Sequence, residues 1–233
     1  MGSLLLALLL VVDAAVIALH LAYTLLGVPA GVHFDLGVDR SYGEFLLYIK
    51  FGWIALLCAL LARRRRSAAF AAVAAGSLML LLEDALILHE RVGWALEPVV
   101  LRAAPGLAGL GILSVQVGEL LWLATLALTI STVFLISWRR AGARDRRDAL
   151  SIVVFFAVMG FFAVVVDTAH SPFALGSAGD MIFTVLEDGG EIVALTPAVA
   201  LAFSLALTSL NAVQGSTVTS PTSLSGLSPR HLE

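Results

Sequence analysis

The chain has 233 residues, 60% of them hydrophobic and 13% charged, with a mean hydropathy of +0.98 and a formal charge of −3. Soluble domains are about 45–50% apolar and about 25% charged, so a soluble enzyme, a disordered chain and a nucleic-acid binder are excluded. One cysteine, Cys58, leaves no intrachain disulfide and no thiolate metal cluster.

A helix needs about 20 apolar residues to cross roughly 30 Å of hydrocarbon. Six runs meet that length, at 3–26, 44–62, 67–89, 110–138, 149–169 and 181–207. They are continuously apolar rather than alternating, which excludes barrel strands. The expected fold is therefore all-α, an integral membrane bundle over residues 1–210. A Ser/Thr/Pro-rich, disordered cytoplasmic tail is expected over 211–233.

Span one carries Asp13 near mid-membrane and His20 seven residues later on the same face, as supporting partners or a proton relay. Span two opens with Tyr42, Gly43 and Glu44, and Glu44 reads as part of a lid or entry funnel. Span three ends Glu83-Asp84-Ala-Leu-Ile-Leu-His89-Glu90. Glu83 and Glu90 would lie within about 20° of one face but about 10.5 Å apart along the axis, so they line a stripe without chelating one ion. Glu90 is placed with the supporting groups, and 90–108, with its Pro and Gly residues, is expected to form loops or short interfacial helices.

Span four contributes Glu119 near its outer, N-terminal end. Span five ends Asp167-Thr-Ala-His170, an i, i+3 pair about 60° apart that can reach one metal. Span six begins Glu187-Asp188-Gly189-Gly190-Glu191. Glu187 and Glu191 are about 40° apart, an unfavourable like-charge pair unless a cation or a proton sits between them. Gly189 and Gly190 permit either close helix approach or a local break. Thr196-Pro197 predicts a bend.

Arg63–Arg66 and the five arginines at 139–147 lie in the loops after spans two and four. The positive-inside rule makes both loops, and both termini, cytoplasmic in a plasma (inner) membrane. The opposite half of the chain then holds fourteen acidic and four basic residues, an excess of ten negative charges. Orientation does not require that excess, because acidic residues contribute little to it. A carboxylate at the centre of a span costs about 2.5–3.5 kcal/mol on insertion scales, and metal coordination is one way to relieve it.

Glu83, Asp84, His89, Glu119, Asp167, His170, Glu187, Asp188 and Glu191 are the expected ligands, with Glu187 and Glu191 as proton-moving catalytic groups. Carboxylates with one or two imidazoles suit iron, manganese or zinc, and oxygen-only subsets suit calcium or magnesium. More than four donors at one level suggests two ions, as in carboxylate-bridged bundles. The leading expectation is a metal-dependent hydrolase or oxidoreductase with an extracytoplasmic site, acting on a lipid or apolar molecule. A divalent-cation transporter or channel is the alternative, and haem ligation by two of His20, His89 and His170 is a third.

At Glu83-Asp84-x4-His89-Glu90 and Glu187-Asp188-Gly-Gly-Glu191 the chain resembles an uncharacterised group of bacterial polytopic membrane proteins. That group's pattern continues with Gly-Glu and Asp-x-x-His, here Gly118-Glu119 and Asp167-x-x-His170. The resemblance covers roughly residues 35–195 and implies that these positions form one site, with no activity attached. Alkaline-ceramidase-like and progestin-receptor-like membrane hydrolases are set aside, because the last span lacks their paired His-x-x-x-His.

Overall fold

The computed structural model describes residues 2–104, 106 and 114–218, with side chains as far as Asn211. All regular structure among them is helical: α1 (Gly2–Leu26), a 3-10 turn (Val32–Phe34), α2 (Tyr42–Arg65), α3 (Ala68–Ala85), α4 (Leu88–Ala103), α5 (Ser114–Arg140), α6 (Ala143–Phe161), a π-helical turn (Phe162–Val166), α7 (Asp167–His170) and α8 (Ala178–Val218). Six helices, with α6 to α7 counted as one, are long and apolar enough to cross a membrane. The protein is a six-span α-helical membrane bundle, as composition predicts.

Helix α8 is the axis of the bundle, with α1, α2 and α6 packed along it; α3 packs on α2, and α5 packs on α3 and α4. Hydrocarbon gives helices no hydrophobic reason to associate, so close packing of small residues and polar contacts must hold them together. Both are present. Ala194, Ala198, Ala202 and Ala206 line the buried side of α8, beside Leu195 and Val199. On α1 the fully buried residues are Asp13 and His20, with Leu9, Val16 and Ile17 packed partly buried against the core.

Asp13 explains how α1 is held. Lys50 Nζ of α2 donates to Asp13 Oδ1 at 2.5 Å, to Thr196 Oγ1 at 2.7 Å and to the Ile192 carbonyl at 2.7 Å. The Thr196 hydroxyl in turn donates to Asp13 Oδ2 at 2.5 Å. Asp13, Lys50 and Thr196 are each at most 1% exposed. Two opposite charges and a hydroxyl thus close a ring across three helices, with every charged oxygen satisfied, as a charge inside a membrane requires. At the arginine end, Arg65 donates to Asp145 at 3.1 Å and Asp148 at 2.9 Å, pinning α2 to α6.

Two helix breaks depart from the sequence reading. The third span ends at Ala85 instead of 89, because Ile87 takes a left-handed conformation (φ 51°) and the chain restarts as α4. Glu83 Oε1 accepts the backbone N–H of His89 at 3.0 Å, a donor exposed by the new N-terminus. Glu83 and Glu90 therefore do not share one straight stripe. The second break is the π turn, where the Asp167 N–H bonds back to the Phe162 carbonyl. The inserted residue rotates α7 by about 100° relative to a straight continuation of α6.

Gly189 and Gly190 do not break α8; Ile17 of α1 sits against the first and the Phe162 ring against the second. Gly93 of α4 and Gly118 of α5 meet backbone to backbone, where a Cβ on Gly118 would lie 2.9 Å from the Gly93 Cα. α8 continues to Val218, past the expected start of the tail at 211. The remaining tail residues 219–233 and the expected start of span four at 110–113 lie outside the described residues.

Candidate functional site

The acidic residues of spans two to six converge at the end of the bundle opposite the arginine loops. Glu191 is in electrostatic reach of Asp188, Asp84, Glu187 and Asp167. Asp188 senses Glu187, Glu44, Asp35 and Asp167, and Asp84 senses Glu44, Glu83, His89 and Asp39. Glu119 is coupled to His89, Glu90 and Asp167. Carboxylates from α2, α3, α5, α7 and α8 thus form one acidic cluster, or chamber.

Within the chamber the carboxylates fall into two sets. The first set is partnered. His170 lies between two acids, with Nδ1 at 2.8 Å from Glu187 Oε2 and Nε2 at 3.0 Å from Asp180 Oδ1. The Phe183 ring stacks on the His170 ring at 5.8 Å and fixes its plane. Asp180 Oδ2 accepts the Gly176 N–H at 2.8 Å, so the far end of this chain is anchored in the loop before α8. Asp167 stands beside Glu187 across the α7–α8 contact. The π turn is what brings Asp167 and His170 round to α8.

Glu83 belongs to the same partnered set. Its Oε1 lies 2.9 Å from His89 Nδ1 besides taking the His89 amide. His89 lies outside the spans, and its hydrogen bond with Glu83 raises its pKa to about 8 against the opposing effect of burial. Glu44 is a helix cap as much as a chamber wall. Ser41 Oγ accepts the Glu44 N–H at 3.2 Å, while the Glu44 carboxylate takes the Arg40 N–H and the Tyr48 hydroxyl, the latter at 2.9 Å. Glu90, half-buried at the start of α4, remains at the periphery.

The second set is Asp84, Asp188 and Glu191. Asp84 Oδ2 is buried with no hydrogen-bond partner. Asp188 and Glu191 are half-buried and surrounded by like charges, with no donor from the described residues directed at them. These three are set apart by having no hydrogen-bond donor among the described residues. Among the described residues, no three His, Cys, Asp or Glu side chains stand around one point as a ready-made metal cage. His89 and His170 are occupied by carboxylates, so the expected mixed nitrogen and oxygen ligand set is not assembled.

His20 sits apart, on α1. Its Nδ1 accepts the Leu36 N–H at 3.1 Å and lies 3.3 Å from Asp35, while Nε2 is buried without a partner. An Nδ1 that accepts an N–H carries no proton, which puts the proton on Nε2. Asp13 is deeper still, neutralised by Lys50, and takes no part in the chamber.

Sequence reasoning missed Asp180 and Lys50. For Asp180 a signal existed: it stands seven residues before Glu187, about 20° away on the same helical face.

The family described as "Domain of unknown function (DUF8692)" matches residues 3–206. The chain belongs to that family. The match takes in all six spans and extends beyond the 35–195 segment on which the motif resemblance rests. No curated protein and no solved structure matches the chain. What this DUF8692 member does must therefore be argued from its own side chains.

Proposed function

We propose that the protein is a membrane-embedded divalent-cation-binding protein, with Asp84, Asp188 and Glu191 supplying the oxygen ligands. The observation that carries this reading is the buried Asp84 Oδ2, which has no hydrogen-bond partner and stands with Asp188 in electrostatic reach of Glu191 at one end of the bundle. Uncompensated carboxylates in a low-dielectric setting are costly, and a cation removes that cost. Since no cage is preassembled, Asp84, Asp188 and Glu191 would hold the ion only after rotamer changes bring them together. With both chamber imidazoles engaged elsewhere, the free donors are all oxygen, which suits manganese, calcium or magnesium better than zinc or iron.

A cation held there by Asp84, Asp188 and Glu191 would supply Lewis-acid chemistry. Beside it, Glu187, His170 and Asp180 form a carboxylate–imidazole–carboxylate chain with contacts of 2.8 and 3.0 Å. Glu187 Oε2 takes a proton, His170 passes it from Nδ1 to Nε2, and Asp180 holds it at the loop. That arrangement fits metal-dependent chemistry on a lipid or other apolar molecule, at the face that the arginine distribution assigns to the outside. Transport is the weaker reading. Below the chamber the bundle is closed by the Lys50–Asp13–Thr196 ring and then by Cys58, Leu61, Phe70 and Leu195, all fully buried.

Equilibrium dialysis of detergent-purified protein against Mn²⁺, read by electron paramagnetic resonance, tests this. Wild type is expected to retain the ion, and the triple variant Asp84→Asn/Asp188→Asn/Glu191→Gln to lose it. Equal retention by the two, or none by wild type, would sink the assignment.

A further inference from the structure

At the end of the bundle opposite the chamber, the α2–α3 and α5–α6 connections carry nine arginines against two acids, Asp145 and Asp148, a formal excess of seven positive charges. Both acids are committed within that end. Arg65 donates to Asp145 at 3.1 Å and to Asp148 at 2.9 Å, and its guanidinium lies over the Phe70 ring, 5.4 Å from the centroid. Arg146 turns back on the chain, donating to the Ala141 carbonyl at 2.8 Å and the Arg139 carbonyl at 3.0 Å. The other seven arginines are exposed. Among the described residues Arg144 alone of the seven approaches an acid, Asp148 at 3.9 Å, too far for a hydrogen bond.

Helix dipoles account for only some of these cations. Positive charge is favoured in the last turns of α2 and α5, where Arg63 and Arg140 stand, but disfavoured at the start of α6, where Arg144 and Arg147 stand. Each helix also continues its cation into an exposed apolar stripe. On α2, Arg63 follows Ala59 by four residues and Leu56 by seven. On α5, Arg139 follows Leu135 by four and Arg140 follows Ile136 by four; on α6, Leu150 and Val154 come three and seven residues after Arg147. Side chains at these spacings share one face of a helix. Three spanning helices thus present an apolar flank capped by an arginine within about one turn of the end of the span, which is the headgroup level.

That composite surface selects its partner. A soluble acidic protein would meet the cations and leave the apolar flanks below them untouched. A zwitterionic phospholipid would cover the flanks and leave the seven charges uncompensated. We infer that the arginine end is a binding surface for anionic phospholipids of the leaflet it faces, their phosphates on the exposed arginines and their chains along the stripes beneath. The guanidinium fork matches phosphate oxygens two at a time. Arg65 keeps the surface positive by holding both local carboxylates away from the exposed arginines. The inference does not rest on the cation site, which lies at the other end.

The test is native mass spectrometry of the detergent-purified whole chain with equimolar phosphatidylglycerol and phosphatidylcholine of matched acyl chains. One basic residue near an anionic surface is worth about a fivefold gain in binding, so wild type is expected to retain phosphatidylglycerol at least about fivefold over phosphatidylcholine. Arg139→Gln/Arg140→Gln/Arg147→Gln and Arg63→Gln/Arg64→Gln alter exposed side chains with no bonded acid, and each should lower that ratio several-fold. Arg91→Gln/Arg102→Gln, at the chamber end, should leave it unchanged. Raising ionic strength from about 0.15 M to about 1 M shortens the screening length from about 8 Å to about 3 Å and should bring the wild-type ratio toward one. A wild-type ratio of one at low salt would overturn the inference and leave the arginines to an acidic protein partner. A ratio unchanged in both arginine-end variants, or lowered equally by Arg91→Gln/Arg102→Gln, would overturn it as well.

Discussion

Replacing Lys50 by methionine tests whether the buried ring of Asp13, Lys50 and Thr196 holds α1 to the bundle. The substitution keeps most of the side-chain volume and removes three hydrogen bonds, to Asp13, Thr196 and the Ile192 carbonyl. Asp13, 0% exposed, is left with a hydroxyl as its sole partner. Breaking a buried ion pair from one side costs about 3–5 kcal/mol, because the surviving charge stays buried and unpaired. A chain of this size loses about 2–4 °C of Tm per kcal/mol, so Lys50→Met should melt about 6–20 °C below wild type. Adding Asp13→Asn to it removes the stranded charge and should restore most of the loss, since neutralising both partners is often nearly neutral. Thermal denaturation followed by size-exclusion chromatography in detergent reads all three proteins. A Lys50→Met melt within about 2 °C of wild type, or equal loss in the single and double variants, would refute the reasoning.

Further outcomes rest on the same geometry. The Glu83–His89 pair raises the folded pKa of His89 to about 8 from an ordinary 6.5, so its contribution to stability is fully present below about pH 6.5 and is lost as pH rises through about 8. Glu83→Gln should flatten that slope between pH 6 and 9 and return the His89 titration, followed by NMR, toward 6.5. Gly118→Val should destabilise by about 1–3 kcal/mol, because its Cβ would meet the Gly93 backbone, and a melt unchanged from wild type would contradict that packing. In chelator, Asp188→Asn and Glu191→Gln should each melt above wild type, since each removes an acid surrounded by like acids; lower melts in both would show that these carboxylates have partners.

The parts of this fold written in the one-dimensional pattern are those set by hydropathy and helical angle. All six spans were legible because each is a continuous apolar run of bilayer length. The grouping of Glu83, Asp84, Glu119, Asp167, Glu187, Asp188 and Glu191 at one end was legible from their common depth. What the pattern did not carry was direction and partnership. The chain from Ala85 to Leu88 carries no helix-breaking residue, and the capping of the His89 amide by Glu83 accompanies the break at Ile87. The π turn at Phe162–Val166 has no marker in its Phe-Ala-Val-Val-Val sequence, yet it decides that His170 meets Glu187. Lys50 looked like one of a few stray cations, because its pairing with Asp13 depends on how three helices meet 37 and 146 residues apart in sequence. Arg65 looked like a topology signal and is also the clamp on Asp145 and Asp148.

The cation claim is tested most directly by the melting temperature of purified protein in chelator, titrated with Mn²⁺, Ca²⁺ or Mg²⁺ at constant ionic strength. A ligand that binds the folded state adds about 2.7 kcal/mol of stability at one hundred times its Kd, which corresponds to a rise of about 5–11 °C here. Wild type should show that rise with at least one of the three ions, and the Asp84→Asn/Asp188→Asn/Glu191→Gln protein should show none. A wild-type melt that stays flat to millimolar concentrations of all three ions would contradict the account.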